Sequence, residues 1–183
     1  ALEQRIDTTI RLLFEYTCKY ARHHKLTLRV LSKSRESKWQ EKELAYFDEI
    51  ANNYPFEFIY GDKQTREFST YQALFSSNVT INCASTLGFE ALSVGKKVLF
   101  GASADPVLIQ QWGNRHYFDV LPDLVKLPEY TKDIFNKCCD RIREMPDAQY
   151  REVTQSAAGT VVSMPDSGYP HDTIKQLVCS LLA

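Results

Sequence analysis

Apolar positions recur every three or four residues at the start of the chain, through Leu2, Ile6, Ile10 and Leu13 and on to Thr17 and Tyr20. That spacing gathers them on one helical face and predicts a long amphipathic helix over about residues 2–23. From Leu26 to Leu31 the pattern changes to alternation, predicting a first strand, and Ser32–Ser37 reads as a polar loop. Trp39, Leu44, Phe47 and Ile50 mark a second helix that must end before Pro55. Phe56–Tyr60 is a second strand closed by Gly61-Asp62. Ser69 or Thr70 can begin a short helix through Tyr71, Leu74 and Phe75. Val79–Cys83 is a third strand, Ser85–Val94 a helix stopped by Gly95, and Lys97–Phe100 a fourth strand. Beyond Gly101 the pattern loosens through Pro106, Trp112 and Pro122, and helices return near 131–145, 148–158 and 171–182.

Strand and helix in alternation, joined by short connections, predict an α/β fold. The expectation is a Rossmann-like parallel sheet with helices on both faces. Neither repeats nor a linker interrupt the pattern, so residues 1–183 are expected to form one domain.

Composition changes this picture little. Hydrophobic residues make up 44% and charged residues 25%, as in ordinary globular proteins. The net charge of −1 provides no bulk attraction to nucleic acid or anionic lipid. No apolar run approaches the roughly 18 residues that span a bilayer, so no transmembrane segment is expected. The opening Ala-Leu-Glu-Gln-Arg has no signal-peptide character and lacks a methionine, which suggests a fragment of a longer enzyme. Five cysteines (18, 83, 138, 139 and 179) at irregular spacing predict reduced thiols in the cytoplasm. No histidine stands at zinc-like spacing to a cysteine or another histidine, so no metal is expected. No cofactor is expected either.

The chemistry is concentrated between Val79 and Phe100, which reads as strand, tight turn, helix, glycine stop and strand. Ligands of open parallel sheets bind beyond the carboxyl ends of the strands. That rule places Cys83 to Thr86 at the ligand edge. A helix start there exposes backbone N–H groups and the positive end of the helix dipole. Ser85 and Thr86 add hydroxyls, and Gly88 removes bulk, so a phosphate could approach. Glu90 lies one turn beyond Thr86 and misses capping-box spacing by one residue, which leaves it available to a ribose. The competing account makes Ser85 and Thr86 ordinary helix caps and Glu90 a solvated surface residue. Neither GxGxxG nor GxxxxGK[ST] occurs.

The run Ser85-Thr-Leu-Gly-Phe-Glu-Ala-Leu-Ser-Val-Gly-Lys-Lys-Val98 resembles the donor-binding, C-terminal half of GT-B-fold glycosyltransferases, particularly bacterial enzymes of capsule and surface-polysaccharide synthesis. Ser77-Asn78-Val79-Thr80-Ile81 resembles the strand that leads into their Ser-Thr turn, and Ser69-Thr70-Tyr71 their preceding short helix. The likeness extends over about residues 69–101. It implies that Ser85 and Thr86 hold the donor phosphate and Glu90 its ribose. It also implies one half of a GT-B fold, with the nucleotide-sugar as substrate and the glycan or glycolipid acceptor on a missing domain. No aspartate or histidine in the region matches a catalytic base. Epimerases and polyol-phosphate transferases share the architecture and are alternatives, as is a non-catalytic α/β interaction domain. The implied location is cytoplasmic, or peripheral to the inner membrane.

Lys33 and Arg35 follow the first strand at the same edge and are candidates to neutralise a donor phosphate, with a solvated loop as the alternative. Arg115-His116 is expected at the surface, and His23-His24 is read as structural at a helix end. Of Cys138 and Cys139, at least one belongs to the core. Asp172, flanked by Asp166 and His171, reads as the cap of the last helix.

Overall fold

The computed structural model describes residues 2–32, 34, 36–60, 68–83, 85–111 and 115–161. Helix α1 (Leu2–His24) opens the chain and is buried on two flanks. Leu13 and Tyr20 enter one core cluster, whereas Phe14 and Cys18 enter another. Adjacent apolar positions such as 13 and 14 lie about 100° apart on a helix, so α1 can serve two cores. The helix ends with Lys25 at a φ of +54° and the Leu26 N–H donating to the Ala21 carbonyl at 2.9 Å. This is a Schellman closure without its usual glycine.

Strand β1 (Arg29–Leu31), helix α2 (Ser37–Ala51) and strand β2 (Glu57–Ile59) form the first βαβ unit. The strands pair in parallel with Val30 opposite Phe58. Phe14 meets Phe47 and Phe56 edge to face at 4.8 and 5.8 Å, which locks α1 and α2 together over this sheet.

Helix α3 (Phe68–Ser76) leads to strand β3 (Thr80–Asn82), helix α4 (Thr86–Ser93) and strand β4 (Val98–Phe100). This second pair is also parallel, with Ile81 opposite Leu99. All three residues of β4 are fully buried, as expected of a parallel strand covered on both faces. Gly95 has a φ of +76°, and the Lys96 N–H donates to the Ala91 carbonyl at 2.9 Å, the glycine stop expected from the sequence.

After β4 come a 3-10 turn over Gly101–Ala104, helix α5 (Pro106–Gln111), helix α6 (Arg115–Val120) and a second 3-10 turn over Asp123–Val125. Phe89, Phe100 and Phe118 bring α4, β4 and α6 into one ring cluster, with centroids 4.7–5.9 Å apart. Helix α7 (Lys132–Glu144) is capped by Thr131, and helix α8 (Asp147–Val161) lies behind β4. There the fully buried Tyr150 accepts the Val98 N–H at 2.9 Å.

Among the described residues the single Rossmann sheet expected from the sequence is not seen. The described residues make a mostly helical α/β structure with two separate two-stranded parallel sheets. Each strand has only three residues, so ladders contribute little and side-chain packing joins the two units. Arg29 Nη1 donates to the Ser76 hydroxyl at 2.8 Å, Leu31 packs against the larger cluster, and α1 spans both cores.

Ser69 and Thr70 lie inside α3 rather than before it, since the helix starts at Phe68. The loose segment after Gly101 is substantially helical, and it adds a parallel bridge between Phe100 and Lys126 beside β4. The helix expected at 171–182, with Asp166, His171 and Asp172, lies outside the described residues. No helix among the described residues is long and apolar enough to cross a membrane.

Candidate functional site

The turn from β3 into α4 is built around Asn82, the last residue of the strand. Its side chain is buried, and its Oδ1 accepts the Ser85 N–H at 3.0 Å. Ser85 is extended, and its hydroxyl oxygen accepts the Leu87 N–H at 3.3 Å, so Ser85 is the N-cap. The Gly88 N–H donates to the Ser85 carbonyl at 3.1 Å. Three N–H groups of the turn are therefore bonded within the chain. Thr86, the first helical residue, is exposed, as is Ser85.

Gly88 is buried against Asn82. A Cβ there would stand 2.5 Å from the Asn82 amide carbon and nitrogen. In this geometry the missing side chain makes room for Asn82. Glu90 is half-buried, and its Oε2 accepts the Tyr71 hydroxyl of α3 at 2.6 Å. The element resembling a preceding short helix thus meets α4 through this pair.

Lys33 and Arg35 lie outside the described residues. Backbone at Arg115 and His116 belongs to α6. His24 packs against Tyr20 at 4.3 Å between centroids, and its Nε2 lies 3.6 Å from Asp140, so it joins α1 to α7. Cys138 and Cys139 are both buried, and Cys18, Cys83, Cys138 and Cys139 are free thiols. Burial pushes the Cys83 thiol up to about 11, so at neutral pH it is no thiolate nucleophile. Among the described residues no cluster of His, Cys, Asp and Glu could hold a metal.

A second feature of this edge escaped the sequence. Beyond the carboxyl end of β4, Asp105 is buried and caps α5, its Oδ1 accepting the Val107 and Leu108 N–H groups at 3.0 and 3.3 Å. Its Oδ2 accepts Arg5 Nε from α1 at 2.5 Å. Burial alone would raise this carboxyl. The Arg5 bond and charge and the two N–H groups outweigh it and hold the group below its ordinary value. An open cavity of about 370 Å³ lies beside this pair, with Gln4 and Tyr130 in its lining. Asp105 follows the fourth strand, where a ligand edge is expected, but its partner is 100 residues away and no local pattern announces it.

A family model described as "putative O-antigen biosynthesis protein" matches residues 5–166. No curated protein and no solved structure matches the chain.

Proposed function

The chain belongs to this family of O-antigen biosynthesis proteins, and we propose that within surface-polysaccharide assembly it binds a nucleotide-sugar donor at the Ser85–Thr86 turn, as the donor half of a glycosyltransferase. The observation that carries the proposal is the position of two exposed hydroxyl residues where β3 enters α4, beside a parallel β4. That is the end of a parallel strand where phosphates are held in α/β proteins, and the helix dipole there favours negative charge. The Thr86 hydroxyl would donate to a diphosphate oxygen. Glu90, oriented by Tyr71, would accept from a ribose hydroxyl one turn further on. Stabilising the departing nucleotide diphosphate is the catalytic contribution such a half supplies. The acceptor site and general base would lie on another domain, so the isolated chain would transfer little or no sugar.

The bonded N–H groups of Ser85, Leu87 and Gly88 favour a second reading, in which the turn is only a cap and the domain is a non-catalytic interaction module. Calorimetric titration with UDP, CDP and CMP separates the two. The donor reading expects saturable binding of at least one nucleotide. The interaction-module reading expects none.

A further inference from the structure

The cavity beside Arg5 and Asp105 has a composition that the nucleotide reading does not use. Successive turns of α1 place Arg5, Thr8, Thr9 and Leu12 along one wall, and Asp105 and Tyr130 complete the lining. Through Asp105 it lies beyond the carboxyl end of β4, where the Cys83 carbonyl accepts the Ala102 N–H at 3.0 Å. Capping α5 accounts for one oxygen of Asp105. It does not account for a half-exposed Arg5 fixed through Nε, nor for the Tyr130 hydroxyl. That hydroxyl is buried beside Thr9 and makes no hydrogen bond of ordinary geometry among the described residues. Buried polar groups without partners are uncommon, and a ligand hydroxyl would supply one once the Tyr130 side chain shifts toward the cavity that it lines.

The wall charges cancel, since the carboxylate of Asp105 stands against the guanidinium of Arg5. A phosphate would face that carboxylate at close range, which disfavours an anion. What remains are threonine hydroxyls, guanidinium N–H donors, a phenol and the apolar Leu12. That set suits a ligand with a rim of hydroxyls and an apolar face. At about 370 Å³ the cavity is near the small end of ligand sites. We propose that it binds a single neutral sugar ring. The site is separate from the Ser85–Thr86 turn and does not require a nucleotide there.

Saturation-transfer NMR of the chain with millimolar free hexoses, 6-deoxyhexoses and N-acetylhexosamines tests this directly. At least one sugar is expected to bind. Tyr130→Phe and Thr8→Val should each weaken it about five- to tenfold, the loss of one neutral hydrogen bond. Thr8 is exposed and Tyr130→Phe removes only one oxygen, so both variants should melt as the parent does. The proposal is overturned if no sugar in the panel binds, if both variants bind as tightly as the parent, or if inorganic phosphate displaces the sugar. UDP titrated into the same samples keeps the two sites apart: its binding should be unchanged in both variants. A parent that binds a sugar but none of UDP, CDP and CMP would count against the nucleotide reading alone, and a nucleotide lost in either variant would overturn the separateness of the two sites.

Discussion

The Asn82 side chain occupies the space that a Cβ on residue 88 would fill, with its amide carbon and nitrogen each 2.5 Å from that point. Asn82 is anchored in β3 opposite Phe100, and its own Cβ is only 2.9 Å from the same point, so no rotamer of Asn82 relieves the contact. Gly88→Ala should therefore destabilise the protein by about 1–2 kcal/mol, although alanine is the better helix former by about 1 kcal/mol. In an Asn82→Ala background the same substitution should cost less, because the amide at 2.5 Å is gone and only the Cβ contact at 2.9 Å remains. Denaturant melts of the four proteins in this cycle measure the coupling. Equal costs in both backgrounds would show that Asn82 is not what position 88 accommodates.

Tyr150→Phe should cost about 1–3 kcal/mol. It leaves the Val98 N–H buried at the back of β4 without its acceptor and creates no cavity large enough to matter. Chemical denaturation should show a lower midpoint at unchanged slope. A midpoint equal to the parent's would mean that this N–H finds another acceptor.

Asp105 sets an acid limit. Its carboxyl lies below its ordinary value in the folded protein, so it contributes stability above that ordinary value. The contribution is lost as pH falls through the folded value, in the window below about pH 4. Asp105→Asn should be less stable than the parent at neutral pH by about 1–2 kcal/mol. The gap should hold down to about pH 4 and narrow below it, as the parent's carboxyl protonates. Melting temperatures of both proteins across that range measure it, and a constant gap would contradict the ion pair.

Lys25 ends α1 at a φ of +54° on the surface, a conformation that glycine adopts without strain. Lys25→Gly should raise stability by a few tenths to about 1 kcal/mol, read as a higher melting temperature. A lower melting temperature would mean that the lysine side chain makes a contribution larger than the backbone strain.

The order of elements was legible because periodicity switches cleanly between helix and strand up to Phe100, and Gly95 and Pro55 mark real stops. How the strands assemble was not. Alternation shows that Arg29–Leu31 and Thr80–Asn82 are extended, but not which strands pair, and the described strands pair only two by two. At the site, Ser85 was recognisable as a cap or ligand from its place before an apolar helix. The role of Asn82 was missed, though an Asn three residues before such a Ser is the signal of a side chain that turns back to bond the backbone. Arg5 with Asp105 was illegible, because a pair made by tertiary packing leaves no spacing to find.

The most direct measurement of the donor-site claim is nucleotide affinity in Thr86→Val, which keeps the volume and deletes the hydroxyl, with Ser85→Ala beside it. Because Ser85 and not Thr86 caps α4, Thr86→Val should leave the melting temperature nearly unchanged. Ser85→Ala should lower stability by about 1 kcal/mol. If the Thr86 hydroxyl bonds a charged phosphate, calorimetry should show UDP, CDP or CMP affinity falling by about 1.5–3 kcal/mol in Thr86→Val. The parent failing to bind any of the three, or Thr86→Val binding as tightly as the parent, would contradict the account.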